Sequence, residues 1–264
     1  MAVEDYRALN MPCDQIWYLG DAVEGKRIDR VREMVAMQVE LLQPLGAPLR
    51  YVMGNHDFDP FQYEPNRPVV APFWETAKTV PGWKTTAKLD DFYFWDSLGN
   101  HDVLFLSDHV DSGGPGGVPR WICTHGKVHR DAAAYPWGPE AYAKLREEIA
   151  ARRRPIIIAG HEAFPGGNRP SELMRQLLPL PASVRIHFYG HAHIGDKVWL
   201  KEHLYRKIAY VEHQKLMQID VASLEDQRGD EIRSVIFEIY GDGGFGVFFR
   251  DHGKRRWSEV LLSA

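Results

Sequence analysis

The stretch LRYVMGNHD, residues Leu49–Asp57, joins a short apolar run to a glycine and three polar residues. A bounded apolar run of this length is typical of a buried β-strand. The glycine allows a sharp turn where the strand ends. Asn55, His56 and Asp57 then offer an amide, an imidazole and a carboxylate, which can bind metal ions or carry protons. The stretch therefore predicts a strand that runs into a ligand-binding loop.

Three further apolar runs end in the same way, in a glycine and a polar residue. They are Ile16–Leu19 before Gly20-Asp21, Pro155–Ala159 before Gly160-His161, and Val184–Tyr189 before Gly190-His191-Ala192-His193. In open α/β sheets, ligands bind beyond the carboxyl ends of the strands. The repeated placement therefore predicts one site built from four distant segments.

Helical patterns lie between these strands and indicate an α/β fold. Apolar residues recur at helical spacing from Ile28 to Leu42, and a second helix is expected over Glu140–Ala151. Beyond them, strands are expected over Lys215–Val221, Ile232–Tyr240, Phe245–Arg250 and Trp257–Leu262, with Gly241–Gly244 as a hairpin turn. We expect a single domain over 1–264, of which 205–264 is mainly antiparallel strands.

The tetrapeptide GNHD occurs a second time, as Gly99-Asn100-His101-Asp102. This copy lies between two strand-like runs, Phe92–Trp95 and Val103–Leu106. Gly and Asn both tolerate the positive φ that tight turns require. The second copy therefore predicts a hairpin connection, not a ligand site.

Composition excludes several classes of protein. The net charge of −4 gives no broad surface for a polyanion, so no extended nucleic-acid contact is expected. There is no run of about 18 apolar residues, hence no membrane span. The chain has 2 cysteines, Cys13 and Cys123, which fits a reducing compartment, the cytoplasm. Nothing in the sequence indicates an oligomeric state.

The polar residues at the strand ends form a set of nitrogen and oxygen donors. They are Asp21, Asn55, His161, His191 and His193. Such donors suit Mn, Fe, Zn or Ni and not the metals that prefer thiolates. Each residue also has a structural interpretation, such as a helix cap for Asp21 or a turn for Asn55. Their coincidence at four strand ends favours the metal site.

In these motifs the chain resembles the calcineurin-like metallophosphoesterase family. The resemblance implies a four-layer α/β/β/α sandwich of two mixed sheets, with a dinuclear metal site. It implies that Asp21 bridges both metals and that Asn55, His161 and His191 complete one shell. His193 would bind the other metal. His56 would face the phosphate as a catalytic residue, with Asp57 orienting it.

The chain departs from the family at its start. The family's first strand carries an Asp-x-His motif, whereas Met1–Gly20 contains no histidine. The fold is therefore expected to lack that first strand, with Val3–Leu9 as the end of the helix that follows it. Either the natural chain extends upstream, or one metal binds in place of two, or other residues fill in. The candidates for filling in are Asp108, His109, His125 and His129.

The resemblance implies a hydrolase that cleaves a phosphomonoester or phosphodiester with metal-activated water. Asn55 and His56 would contact the substrate, a small phosphoester, and Gly167, in a glycine-rich loop after His161, would shape the substrate mouth. The alternative is a non-catalytic metal-binding or interaction protein with a degenerate site. A nuclease is a further alternative that the acidic net charge disfavours.

Overall fold

A computed structural model describes residues 1–22, 28–54, 57, 72–88, 91–107, 109–111, 120–122, 139–167, 172–191, 208–211, 214–221, 224 and 232–263. The helices are α1 Ala2–Leu9, α2 Ile28–Leu42, α3 Pro72–Ala77, α4 Pro139–Ala151 and α5 Glu172–Gln176. The strands are β1 Ile16–Leu19, β2 Leu49–Val52, β3 Tyr93–Leu98, β4 His101–Leu106, β5 His109–Asp111, β6 Arg120–Ile122, β7 Ile156–Gly160, β8 Val184–Tyr189, β9 Ile208–Tyr210, β10 Met217–Asp220, β11 Arg233–Ile239, β12 Phe245–Asp251 and β13 Arg256–Ser263.

The largest sheet has six strands in the order β3-β4-β7-β8-β10-β9. Its four central strands run parallel to one another. The edge strands β3 and β9 are antiparallel to their neighbours. The sheet is therefore mixed, and β7 and β8 direct their carboxyl ends to the same edge.

The second β layer consists of two pieces. One is the parallel pair β1–β2, and the other is the antiparallel sheet β11-β12-β13. No ladder joins the two pieces within the described ranges. Residues from both pieces, including Leu19, Val52 and Phe249, pack in one buried cluster with the six-stranded sheet.

Helices pack on the β1–β2 pair and on the six-stranded sheet. Val31 and Val35 of α2 and Phe73 of α3 pack against the β1–β2 pair. Leu145 and Ile149 of α4 pack against the six-stranded sheet. Three apolar cores thus separate four layers, which confirms the predicted α/β/β/α sandwich.

The second GNHD is the hairpin that the sequence predicts. Gly99, with φ of 55°, and Asn100 connect β3 to β4. His101 and Asp102 begin the return strand, and Asp102 accepts a hydrogen bond from Arg152 Nη1 at 2.9 Å. This copy of the motif is therefore a turn followed by a strand.

The first and last parts of the chain also largely match their predicted elements. Among residues 1–22, all of which are described, the only strand is β1, and it follows α1. The C-terminal hairpin between β11 and β12 is present. Within 205–264, where mainly antiparallel strands are expected, β10 pairs in parallel with β8 and antiparallel with β9. The short strands β5, β6 and β9 are additions that the sequence pattern does not predict.

Candidate metal centre

Three of the predicted ligands come together at the carboxyl ends of β1, β7 and β8. Asp21 follows β1 by two residues, His161 directly follows β7, and His191 follows β8 by two residues. The two histidines come from neighbouring parallel strands, whereas Asp21 comes from the other β layer. The three side chains therefore meet at an edge where the two layers adjoin.

The potential ligand atoms of Asp21, His161 and His191 all lie within 4.8 Å of one another. His161 Nε2 is 3.3 Å from Asp21 Oδ2 and 3.0 Å from His191 Nδ1. Protein ligands bind a divalent transition metal at about 2.0–2.2 Å, so atoms spaced in this way can share one ion.

A backbone carbonyl sets the orientation of the His161 ring. His161 Nδ1 lies 2.7 Å from the carbonyl oxygen of Leu19, which can only accept a hydrogen bond. Nδ1 therefore carries the hydrogen, and Nε2 is left with the lone pair that a metal requires. Metal-binding histidines are commonly oriented by such a bond from the other ring nitrogen. In neutral His161, Nε2 can accept a hydrogen bond from His191 Nδ1, and the Asp21 carboxylate is a second acceptor beside it. A bound cation would take the place of that hydrogen.

Two glycines make room for this arrangement. A Cβ atom on Gly20, whose φ is +89°, would lie 2.4 Å from His161 Nδ1. A Cβ on Gly54 would lie 2.5 Å from Asp21 Oδ1 and 2.7 Å from His161 Cε1. Side chains at either position would occupy the space of the ligands, so the glycines before Asp21 and Asn55 are explained by close approach.

Two of the ligand residues have unusual backbone conformations. Asp21 has φ of 54° and His191 has φ of 62°, in the left-handed region that residues with a Cβ rarely adopt. Such conformations cost of order 1–3 kcal/mol and cluster at functional sites. The strain is consistent with ligand positions whose side-chain direction matters more than local stability.

Asp57, the last residue of the first GNHD, is buried, with 1% of its surface exposed. Its Oδ2 accepts hydrogen bonds from the backbone N–H groups of Asp21, at 3.0 Å, and Gly54, at 2.7 Å. Burial, and then the negative charge of Asp21, raise the pKa of Asp57 to about 7, whereas the bond from Gly54 opposes this rise.

Asn55, His56 and His193 lie outside the described residues, as do the candidates Asp108, His125 and His129. Gly54 and Asp57, on either side of Asn55-His56, both lie at the site. His109 begins β5, and its side chain is not among those described. Gly167 lies in the turn after β7, where its N–H donates to the Phe164 carbonyl at 3.0 Å. A Cβ at this position would lie 2.8 Å from the Ala163 Cβ. The roles assigned to these residues stay predictions.

Sequence reasoning missed one contributor to the site. The Leu19 carbonyl that orients His161 belongs to the backbone, so no residue type indicates it.

Comparison with known proteins agrees with this geometry. The sequence profile described as calcineurin-like phosphoesterase matches residues 3–195. This chain belongs to the calcineurin-like phosphoesterase family. The family implies divalent metal ions, and Asp21, His161 and His191 provide a site that fits them.

Solved structures show the same fold at low sequence identity. The purple acid phosphatase from yellow lupin (Lupinus luteus) seeds has a TM-score of 0.58 and 11% identity over 99% of this chain. This chain spans 48% of the length of that phosphatase. A protein of Thermus thermophilus has a TM-score of 0.50 and 13% identity. The match covers 99% of this chain and 92% of the Thermus protein. No curated protein matches the sequence significantly.

None of the described helices is both long and apolar enough to cross a lipid bilayer.

Proposed function

We propose that this calcineurin-like phosphoesterase hydrolyses a small phosphomonoester or phosphodiester with the help of one or two divalent metal ions. The observation that carries the proposal is the convergence of Asp21 with His161, whose Nε2 lone pair faces the carboxylate at 3.3 Å. Family membership supports the same chemistry.

Asp21, His161 and His191 would hold the first ion, together with Asn55 as the family resemblance implies. A bound divalent ion supplies a Lewis acid that activates water and neutralises charge on the phosphoryl oxygens. The nitrogen and oxygen donors suit Mn, Fe, Zn or Ni. His193 would serve a second ion, and His56 would donate a proton to the leaving group.

The chain's own groups prepare the site for this role. The Leu19 carbonyl holds His161 in the tautomer that presents Nε2. Asp21 keeps its carboxylate directed at His161 through a left-handed backbone conformation. The net charge of −4 favours a small substrate over a nucleic acid. We infer a cytoplasmic location from the two cysteines.

The test is hydrolysis of p-nitrophenyl phosphate and bis(p-nitrophenyl) phosphate with added Mn²⁺. We expect activity that EDTA abolishes, and the ratio of the two rates gives the substrate class. Asp21→Asn and His161→Gln should each lower kcat/KM by at least about 100-fold. Mutating a residue that only hydrogen-bonds to a metal ligand already lowers metal affinity or activity by about 10–100-fold. His101→Gln, in the second GNHD, is the matched control and should retain activity.

Calorimetric titration with Mn²⁺ separates this function from the alternatives. If the chain binds one or two ions and hydrolyses either ester, the result supports the phosphoesterase. Tight binding without turnover on either ester would instead support a non-catalytic metal-binding protein. A DNA or RNA mobility shift that weakens with added salt would revive the nuclease.

A further inference from the structure

The carboxylate of Asp57 joins the two loops that carry the first metal ligands. Oδ2 accepts from the N–H of Asp21 at 3.0 Å and from the N–H of Gly54 at 2.7 Å. Oδ1 accepts from the N–H of Ala22 at 2.9 Å. Asp21 and Ala22 follow β1, whereas Gly54 and Asp57 follow β2. One buried side chain thus connects both loops through their backbones.

Only a carboxylate can make this set of bonds without rearrangement. In its ionised form, its two oxygens offer about four lone-pair positions and no hydrogen. An amide at the same place would direct its NH₂ group at one of the N–H donors. Bonds from backbone N–H groups to an ionised carboxylate are also stronger than those to a neutral acceptor.

The bonds act at a point where the backbone conformation is unfavourable. Asp21 adopts φ of 54°, and a Cβ on Gly54 would come within 2.5 Å of Asp21 Oδ1. The close approach of the two loops therefore has to be maintained by something other than local conformational preference. The Asp57 carboxylate supplies that restraint directly at the Asp21 N–H.

We propose that Asp57 is a positioning residue that locks the β1 and β2 loops together and so holds Asp21 in the conformation that binds metal. The inference rests on the proposed metal-dependent function. It gives Asp57 a role towards Asp21, in addition to the orientation of His56 that the family resemblance implies.

Mn²⁺ affinity, measured by calorimetry on the full chain, tests the proposal. Asp57→Asn should weaken binding by about 10–100-fold, the usual effect of removing a group that orients a metal ligand. The matched control is Asp251→Asn. Asp251 is equally buried, at 1% exposed, and accepts a backbone N–H from Lys254, but it lies in β12. The Asp251→Asn variant should be less stable than the wild type but should bind Mn²⁺ with the same affinity.

Equal Mn²⁺ affinity in the two variants would overturn the proposal, as would a wild-type chain that binds no Mn²⁺, Zn²⁺, Ni²⁺ or Fe²⁺. Failure of the proposed hydrolysis is a separate result. If the wild-type chain binds Mn²⁺ but cleaves neither ester, the proposed hydrolase function is wrong. The comparison of the two variants' Mn²⁺ affinities would still decide the role of Asp57.

Amide hydrogen exchange on the wild-type chain provides a second measurement if Asp57→Asn does not fold. The N–H groups of Asp21, Ala22 and Gly54 lie outside the strands and are bonded to Asp57. They should exchange at least about tenfold more slowly than the exposed turn amide of Gly241, which corresponds to about 1.4 kcal/mol. Exchange as fast as that of Gly241 would rule out the lock.

Discussion

Asp5 in the first helix is paired through both carboxylate oxygens with the guanidinium of Arg250, which lies 245 residues later in the chain. Arg250 Nε and Nη2 each donate at 2.8 Å. His252 Nδ1 lies a further 2.8 Å from Asp5 Oδ2, and its Nε2 is bonded to Ser234. The bonds from Arg250 lower the pKa of Asp5 to about 2. This buried network fastens α1 to the C-terminal sheet.

Asp5→Asn should lower the free energy of unfolding by about 3–5 kcal/mol, because it leaves the buried Arg250 charge without its partner. Urea denaturation at pH 7 measures the loss. Glu4→Gln is the matched control, since Glu4 is the neighbouring acid and its side chain is 71% exposed. It should change the stability by less than about 0.5 kcal/mol. A loss below about 1 kcal/mol for Asp5→Asn would contradict the importance of the network.

His187 should make the fold sensitive to mild acid. It is fully buried beside Gln218, and burial lowers its pKa to about 3. In the unfolded chain the same imidazole takes up a proton below about pH 6.5. The unfolded state therefore binds more protons, and stability falls as the pH falls from about 6.5 towards 3, by up to about 1.4 kcal/mol per pH unit.

Urea unfolding at pH 5, 6 and 7 in EDTA measures this dependence without interference from bound metal. His187→Gln removes the titrating group and keeps a donor for the side-chain oxygen Oε1 of Gln218. We expect a shallower pH dependence in the variant. Parallel curves for the two proteins would show that His187 does not cause the acid sensitivity.

Gly54→Ala should abolish metal binding, because the added Cβ would overlap Asp21 Oδ1 and His161 Cε1. Gly241→Ala is the matched control, since a Cβ there has nothing within 4 Å. Mn²⁺ titration and thermal unfolding, with and without Mn²⁺, give the two readouts. We expect a metal-dependent rise in Tm for Gly241→Ala and none for Gly54→Ala. The same rise in both would mean that the site tolerates the methyl group.

Asp102→Asn tests whether the second GNHD takes part in the site. Asp102 pairs with Arg152 and Arg154, whose side chains are 31% and 42% exposed. Removing partly exposed pairs should cost about 1 kcal/mol of stability. Mn²⁺ affinity and ester hydrolysis should equal those of the wild type. Weaker metal binding would show that the second copy contributes to the centre after all.

The elements that position the metal centre could be predicted from local patterns. Apolar runs that end in glycine and a polar residue gave the bounds of β1 and β8 as the structure has them. The helical spacing gave those of α2. In each case, neighbouring residues carry the pattern, because strand burial and helix faces are determined locally. The convergence of Asp21, His161 and His191 followed from the rule for strand ends.

The remaining features depend on contacts between distant residues. His252 has no informative neighbour in the sequence, yet it lies between Asp5 and Ser234. β9 has three residues, too few for an alternating pattern. β10 could be predicted as a strand, but its parallel pairing with β8 depends on the path of the chain between them. Neither composition nor spacing carries that information.

The hydrogen bond from His161 to the Leu19 carbonyl has a consequence for how the protein can be assayed. It crosses from the six-stranded sheet to the β1–β2 pair, so the ligand set exists only when both halves of the sandwich have assembled. A fragment that ends at Ser107 would contain Asp21 but neither His161 nor His191. Retention of a metal ion would therefore report that the β1–β2 pair and the six-stranded sheet have assembled, and it can serve as a quality check on any preparation before enzymology begins.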